Sequence, residues 1–326
     1  MPRIFSGIQP SGELHIGNYL GAVKNWVSLQ HEFECLFCIV NYHAITVPMD
    51  AALLRSRTEE MALSLLAAGL DPDRCTIFVQ SQVPEHTELN WIFNTVTPLG
   101  ELERQTQFKD KAQRQESVMA GLLNYPVLQA ADILLYRADL VPVGEDQVQH
   151  LELSREIARR WNARYAPGAP YFPEPQAALT PSRRVVALDG SGKMSKSAGN
   201  TVGLLEPFPA VWDKLRPAVT DPKRVRRTDP GTPEVCNIYD LHKAFNPPET
   251  VEHVAVQCRT AGWGCIDCKK VLFDGMRAEL QPIHDRAAEL RANPARVREI
   301  LHAGAARARS IAQETMAEVK ERMGLL

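Results

Sequence analysis

The chain has 326 residues, a length that suits one large domain joined to a smaller one. Its apolar fraction of 44% and charged fraction of 23% are typical of a globular protein and exclude a disordered or fibrous one. A net charge of −2 gives no general attraction to nucleic acid, and the longest apolar run, Cys35 to Val40, is too short to cross a membrane. Because the first residues also lack an apolar signal segment, we expect a cytoplasmic protein with no membrane partner.

Strand and helix patterns alternate in the first part of the chain. Buried strands are predicted at 3–8, 35–44 and 75–81, with amphipathic helices after the turn at 10–12 and from Asp50 to Gly69. A mostly helical stretch follows to about Tyr136, and further strands are predicted from Ala138 to Gly144 and after Ala177. This order predicts an α/β fold with a doubly wound parallel sheet of the Rossmann type.

Helical patterns dominate after residue 203. We therefore predict a catalytic domain at 1–203, with a helical insertion at about 82–136, and a smaller helical domain at 204–326. The last helix is predicted from Pro294 to Met323 and could pack back on the catalytic domain. Gly304 lies on the apolar face of this helix, where it either weakens the helix or lets a neighbouring element approach closely.

The stretch from Pro10 to Trp26, where a turn after the first strand becomes a helix, contains three glycines and includes His15-Ile16-Gly17-Asn18. Glycines let a backbone approach a phosphate, and a helix start presents unpaired N–H groups to it. His15 can then donate a hydrogen bond as negative charge builds on a phosphate oxygen. The alternative is an ordinary helix start that happens to contain a histidine. The dinucleotide fingerprint GxGxxG is absent.

A second loop, Lys193 to Ser197, has the sequence KMSKS and follows Gly190-Ser191-Gly192. Two lysines three residues apart, beside hydroxyl groups, are typical of a clamp on a polyphosphate. A solvated lysine loop is the alternative. HIGN after the first strand and KMSKS after the last together resemble the two signatures of class I aminoacyl-tRNA synthetases, in the order of that family. The family signature has histidine where this chain has Asn18.

Longer blocks within the first 200 residues resemble the bacterial tryptophanyl-tRNA synthetases. These blocks are FSGIQPSG, HAITV, GELERQTQFKDK and GLLNYPVLQAADILLYRADLVPVGEDQVQH. The resemblance implies an enzyme that makes tryptophanyl-AMP from L-tryptophan and ATP and esterifies tRNA(Trp). It also implies a homodimer, with the helical middle region at its interface.

Asp132 is implied as the carboxylate that accepts the indole N–H of tryptophan, a donor that needs a partner when buried. The alternative is a carboxylate at a helix start that stabilises the helix dipole. The full implied set for tryptophan is Phe5, Gly7, His43, Tyr125, Gln129, Asp132, Ile133, Val141, Val143 and Gln147. Within it, the apolar members supply flat walls, and Tyr125, Gln129 and Gln147 hold the amino and carboxylate groups.

ATP with Mg²⁺ is implied as the second substrate, and its catalytic residues are His15, Lys193 and Lys196. The lysines neutralise the leaving pyrophosphate. Lys109 and Lys111 are possible further contacts, although exposed lysines are more often solvated. The implied ATP-binding set is Gln9, Pro10, Ser11, Gly17, Asn18, Gly144, Glu145, Asp146, Val185, Lys193, Met194, Ser195, Lys196 and Ser197.

The chain has seven cysteines, and four of them, Cys236, Cys258, Cys265 and Cys268, follow the spacing C-x21-C-x6-C-x2-C. Four thiols suit Zn²⁺ or a [4Fe–4S] cluster, but zinc sites usually have two CxxC pairs and this one has a single pair. A subset of bacterial tryptophanyl-tRNA synthetases resembles this pattern, with one more residue in the first gap, and carries the cluster near its anticodon-binding region. We therefore predict [4Fe–4S], with Zn²⁺ or unmetallated thiols as alternatives. The other CxxC pair, Cys35 and Cys38, is predicted to lie in the core, since residues three apart on a strand face opposite sides.

Two other functions remain open from the residues alone. One is a nucleotidylyltransferase that does not act on tRNA, although such enzymes usually lack KMSKS. The other is a synthetase-like paralogue that binds tryptophan or RNA in a regulatory role. The basic run at 223–227 predicts either a solvated loop or a contact with a phosphate backbone.

Overall fold

The computed structural model of the chain describes residues 1–112, 117–144, 147–179, 186–190, 192, 194 and 200–326. Within these residues, five parallel strands form one sheet in the order β3-β2-β1-β4-β5. The strands are β1 (Arg3–Ile8), β2 (Glu34–Ile39), β3 (Thr76–Val79), β4 (Leu140–Val143) and β5 (Gln176–Leu179). The predicted doubly wound α/β fold is confirmed.

Helices cover the sheet and form the C-terminal part of the chain. They are α1 (Ile16–Asn18), α2 (Lys24–Leu29), α3 (Asn41–Ala44), α4 (Ala51–Ala67), α5 (Glu85–Asn94), α6 (Leu99–Glu103), α7 (Thr106–Ala112), α8 (Ala120–Leu134), α9 (Val148–Tyr165), α10 (Phe208–Leu215), α11 (Asn237–Phe245), α12 (Pro248–Arg259), α13 (Cys265–Ala292) and α14 (Pro294–Met323). A π-helical turn, Tyr19–Val23, joins α1 to α2. The helical middle region and the bounds of the last helix are confirmed. The second strand is shorter than predicted, because α3 starts at Asn41.

The register of the sheet brings the ends of its strands to one edge. Ile8 on β1 pairs with Ile39 on β2, and Ile39 pairs with Val79 on β3. The polar residues that follow these strands therefore meet at the carboxyl edge. The chain runs from β1 outward to β3 on one side and continues through β4 and β5 on the other. Such a switch in strand order opens a crevice at the carboxyl edge, where α/β proteins bind their ligands.

Alternate residues of the strands enter two hydrophobic clusters on opposite faces of the sheet. Cys35 and Phe37 belong to one cluster, whereas Leu36 and Cys38 belong to the other. This confirms the prediction that the Cys35 and Cys38 pair is core structure. The first cluster also contains side chains from the C-terminal helices, such as Leu272 on α13.

Helix α14 packs against the outer strand β3. A Cβ atom added to Gly304 would lie 1.9 Å from the carbonyl oxygen of Ile77, so only glycine permits this approach. The second alternative for Gly304, close approach of a neighbouring element, is therefore confirmed. The division into domains at residue 203 stays a prediction. Among the described residues, none of the helices has the length and apolar character needed to span a bilayer.

Candidate active site

His15 lies at the start of the helical segment that follows β1, and its side chain caps that segment. Its Nδ1 accepts a hydrogen bond from the Asn18 backbone N–H at 3.3 Å, and the Asn18 side-chain oxygen lies 3.5 Å from the His15 backbone nitrogen. This is a capping box, in which each residue satisfies a backbone donor near the helix start. Because Nδ1 accepts, a neutral His15 ring carries its proton on Nε2. The His15–Asn18 capping box therefore gives both side chains a structural role at the start of this helical segment.

The segment after the KMSKS loop pairs with the HIGN turn. The Ile16 N–H donates to the Val202 carbonyl at 2.9 Å, and the Leu204 N–H donates to the Leu14 carbonyl at 2.7 Å. A Cβ atom on Gly17 would lie 3.7 Å from the Cβ of Met194, the methionine of KMSKS. The HIGN turn and Met194 of KMSKS, about 180 residues apart in the sequence, are therefore neighbours in the structure.

The described part of the predicted ATP set lies along the carboxyl edge of the sheet. Gln9 and Ser11 are exposed after β1, Pro10 between them is buried, and Gly17, Asn18 and Gly144 are half-buried. The exposed positions can meet a ligand in the crevice. The remaining members lie outside the described residues: Glu145, Asp146, Val185, Lys193, Ser195, Lys196 and Ser197. Their roles stay predictions, and the same holds for Lys109, which is exposed on α7.

Asp132 lies on the inner face of α8 and is 1% exposed. Its Oδ2 accepts from His43 Nε2 at 2.7 Å, and its Oδ1 accepts from Gln80 Nε2 and His86 Nδ1, each at 2.7 Å. The Tyr136 hydroxyl in turn bonds His86 Nε2 at 2.8 Å. Burial alone would raise the pKa of Asp132, but His43 and His86 outweigh it and hold that pKa below its usual value. The site therefore contains a buried carboxylate that is ionised at neutral pH.

Sequence reasoning missed Gln80, His86 and Tyr136 as members of this site. Gln80 is the first residue after β3, and His86 lies in the first turn of α5. Their position after a buried strand was the available signal, since polar residues at the carboxyl ends of parallel strands converge. Both residues lie in or next to the short segment that joins β3 to α5, but the sequence does not show that their side chains reach Asp132.

Tyr125, Gln129 and Asp132 are spaced along α8 so that they share one face. Burial raises the pKa of Tyr125 to about 12, and its hydroxyl lies 3.0 Å from His150 Nε2. The ring of His43 meets the Tyr125 ring edge-on, with centroids 6.3 Å apart. The structure therefore brings these predicted tryptophan-binding residues together. Gln129 and Gln147 are half-buried.

The predicted apolar walls are part of the protein core. Phe5 is 3% exposed and stacks on Tyr136 at 5.6 Å between ring centroids. The other buried members of the set belong to the same hydrophobic cluster: Ile133, Val141 and Val143. Gly7 is exposed on β1, and a Cβ there would lie 2.9 Å from a Val40 methyl group. Contact of these residues with an indole ring stays a prediction.

The four C-terminal cysteines line one small cavity between α11, α12 and α13. Cys265 and Cys268 lie one turn apart at the start of α13. Burial, with the three neighbouring thiols, raises the pKa of Cys268 to about 12, so this thiol is protonated. Among the described residues, no group of three or more His, Cys, Asp or Glu side chains is placed to hold a metal ion. The predicted cluster is therefore not confirmed. The donors are of the right kind, but binding would require the thiols to deprotonate.

Arg224, from the basic run, turns towards this cavity. Its Nη1 lies 3.9 Å from Cys258 Sγ, and its Nη2 donates to the Trp263 carbonyl. For Arg224, both predictions made for the basic run are therefore wrong: its side chain is neither solvated nor turned outward to contact a phosphate backbone. The other basic residues of the run are exposed: Lys223, Arg226 and Arg227.

The comparisons with known proteins agree with this geometry. The model of the class I tRNA synthetases (W and Y) matches residues 1–281. The chain belongs to this family. As a member of the class I tRNA synthetases, it is 56% identical to the tryptophan–tRNA ligase of Deinococcus radiodurans, over 100% of this chain and 99% of that protein.

Solved members of the family share the fold over almost the whole chain. The tryptophanyl-tRNA synthetase of Campylobacter jejuni, complexed with ADP and tryptophan, superposes with a TM-score of 0.90. It is 37% identical and covers 99% of each chain. The enzyme of Mycoplasma pneumoniae gives a TM-score of 0.84 at 30% identity, over 99% of this chain and 98% of that one.

Proposed function

We propose that this class I synthetase is a tryptophan–tRNA ligase. The observation that carries the proposal is Asp132, a buried and ionised carboxylate at the foot of the crevice, beside His43 and Tyr125. Such a group suits the N–H of an indole ring. The HIGN turn lies at the same edge of the sheet and borders Met194 of KMSKS, as a site joining tryptophan to ATP requires. Relatives across several bacterial genera carry the name tryptophan–tRNA ligase.

The reaction proceeds in two displacements. The carboxylate of tryptophan attacks the α-phosphorus of ATP in line, and pyrophosphate leaves with its Mg²⁺. A ribose hydroxyl of the 3′-terminal adenosine of tRNA(Trp) then attacks the aminoacyl carbonyl, and AMP leaves. Positioning and charge stabilisation supply the catalysis, without a covalent intermediate on the protein.

His15 stabilises the charge that develops on the phosphates. Its Nδ1 is used in the capping box, so Nε2 is the nitrogen that donates to a phosphate oxygen. Lys193 and Lys196 neutralise the charge of the leaving pyrophosphate, as the KMSKS resemblance implies. The buried position of His15 limits its motion and keeps the donor aligned.

Tryptophan-dependent ATP–pyrophosphate exchange, followed by charging of tRNA(Trp), tests the function. We expect exchange with tryptophan and none above background with phenylalanine or tyrosine. Replacing His15 by alanine should slow exchange about 100-fold and change tryptophan binding less than about threefold. Lack of exchange with tryptophan would overturn the proposal, and exchange without charging would favour the regulatory paralogue.

We also infer a homodimer that uses the helical middle region. Trp91 on α5 is 73% exposed, and Leu99 on α6 and Met119 before α8 are also exposed apolar residues. Large exposed apolar side chains on adjoining helices are typical of a subunit interface. Sedimentation should show a dimer that Trp91→Glu converts to a monomer. The control, Val225→Glu, introduces the same charge at another exposed apolar residue and should leave the dimer intact.

A [4Fe–4S] cluster held by Cys236, Cys258, Cys265 and Cys268 is the proposed occupant of the C-terminal cavity. When bound, it supplies a covalent tie between the ends of α11, α12 and α13. The donor set supports it, since four thiols line the cavity. Gly231 packs closely against this site, since a Cβ atom there would lie 2.6 Å from Cys258 Sγ and would force that thiol to shift.

Iron and sulfide analysis of anaerobically purified protein tests the cluster. We expect four iron atoms per chain, lost in Cys265→Ser and kept in the control Cys35→Ser, whose thiol lies in the sheet core. A colourless protein with one zinc per chain would establish the alternative. We also propose a cytoplasmic location, which is consistent with seven cysteines of which none forms a disulfide.

A further inference from the structure

We propose that His86 and Gln80 are positioning residues that set how the site selects for an indole N–H. They fill one oxygen of Asp132 and leave only the other open to the substrate. Tyr136 fixes the orientation of His86. The inference rests on the proposed function, because it concerns how tryptophan is distinguished from rings that lack the N–H.

The side-chain amide of Gln80 has a fixed orientation. Gln80 is 0% exposed, and its Oε1 accepts from the Tyr42 backbone N–H at 3.0 Å. The amide nitrogen must therefore face the other way, and it donates to Asp132 Oδ1 at 2.7 Å. A flipped amide would place two oxygens together and leave the Tyr42 N–H unpaired.

His86 is fixed in the same manner by two partners. It is 0% exposed, and its Nδ1 lies 2.7 Å from Asp132 Oδ1. A carboxylate can only accept, so Nδ1 carries a proton, and in the neutral ring the Tyr136 hydroxyl donates to Nε2 at 2.8 Å. Tyr136 is itself held by stacking on Phe5 and by edge contact with Phe78. The packing of Tyr136 against Phe5 and Phe78 thus holds the His86 ring so that its Nδ1 proton points at Asp132.

The two oxygens of Asp132 are left in different states. Oδ1 accepts two N–H groups, which is the usual capacity of a carboxylate oxygen, whereas Oδ2 accepts from His43. An indole N–H must therefore bond Oδ2. Because His43 fills one acceptor position of Oδ2, a ring without this donor leaves the second position unfilled in a buried site, which is the condition for strong rejection of an analogue.

Substrate preference measures this arrangement directly. Full-length protein is assayed by ATP–pyrophosphate exchange with tryptophan and with β-(benzothiophen-3-yl)alanine, which has sulfur in place of the N–H. We expect the wild type to prefer tryptophan by at least about 100-fold in kcat/KM. His86→Leu should reduce this preference about 10- to 100-fold, mainly through KM for tryptophan.

Two further variants test the assignment of each nitrogen. His86→Asn places an amide nitrogen close to where Nδ1 stood and should retain most of the preference. Tyr136→Phe removes only the hydroxyl and should reduce the preference by about threefold to tenfold.

Gln30→Leu is the matched control. It removes another buried amide, which bonds the Val27 and Gly69 carbonyls and has no hydrogen bond to Asp132, so stability should fall while the preference is kept. Unchanged preference in both His86→Leu and Tyr136→Phe would overturn the inference. If His86→Leu fails to fold, Tyr136→Phe and Gln80→Leu decide the question. Absence of exchange in the wild type would instead remove the proposed function, and the inference with it.

Discussion

Asp132 shows how a single residue is held in an unfavourable place. A carboxylate that is 1% exposed has lost its hydration, and several kcal/mol would be needed to keep it charged without partners. Three N–H donors at 2.7 Å replace the water. Their effect exceeds that of burial, so the pKa of the carboxyl group is lowered. The residue is therefore an acceptor throughout the physiological pH range.

The lowered pKa of Asp132 predicts how stability depends on pH. A carboxyl group whose folded pKa lies below its unfolded value stabilises the fold above the unfolded value of about 3.9. That contribution is lost as the pH falls through the folded pKa. Urea unfolding of wild type and Asp132→Asn should show a difference in free energy at pH 6 that narrows below pH 4. A difference that is constant from pH 6 to pH 3 would contradict the prediction.

Substitution of Gly17 by alanine should affect catalysis without affecting the fold. A Cβ atom there would lie 3.0 Å from two atoms of the His15 ring, which would have to shift. We expect Gly17→Ala to slow pyrophosphate exchange about tenfold and leave the melting temperature nearly unchanged. In the control Gly21→Ala, the added Cβ has no neighbour within 4 Å, and the exchange rate should stay close to that of the wild type.

At the scale of elements, α14 closes the outer edge of the sheet. An uncovered edge strand is a site for aggregation, and helix packing removes that exposure. The approach of α14 to β3 is possible because Gly304 faces the Ile77 carbonyl and small residues such as Ala308 and Ala312 continue the buried face. The helical periodicity predicted the length of α14. The sequence pattern did not show that α14 packs against β3, because that contact depends on tertiary packing.

Gly304→Ala should destabilise the protein by about 1–3 kcal/mol, because the new methyl group forces α14 away from β3. The matched control is Gly121→Ala on α8, an exposed helix position where an added Cβ meets nothing within 4 Å. The control should change stability by no more than about 0.5 kcal/mol. Denaturant unfolding measures both variants. Equal changes in their free energy of unfolding would show that helix propensity, and not packing against β3, determines the effect of Gly304→Ala.

At the scale of the whole molecule, the C-terminal helices and the sheet share one hydrophobic cluster. It contains Phe37 from β2, Ile238 from α11 and Leu272 from α13. Polar contacts add to it, since Glu279 on α13 accepts from the Tyr19 hydroxyl at 2.9 Å and from Lys24 at 2.6 Å. The helical segment that carries His15 is thus tied to the helix that begins at the cysteines.

This shared core predicts one cooperative unfolding transition. Calorimetry should give a single peak whose calorimetric and van't Hoff enthalpies agree, and residues 204–326 expressed alone should not fold. Two separate transitions would show that the predicted boundary at residue 203 divides the molecule into independent units.

Much of the site could be predicted because its signals are local. HIGN and KMSKS are contiguous motifs, and α8 presents Tyr125, Gln129 and Asp132 on one face by helical spacing alone. The family prediction that rests on these blocks is confirmed by the match over residues 1–281. His86 and Gln80 escaped prediction because they are 46 and 52 residues from Asp132. Only the parallel register brings them to the same edge.

The sequence by itself determined the order of strands and helices and the family, because periodicity and short motifs act within a few residues. The tertiary structure decided which side chains bond each oxygen of Asp132, which strand α14 covers and where Arg224 points. These depend on distances between residues far apart in the chain. Such distances follow from sheet register and close packing, which no local pattern encodes.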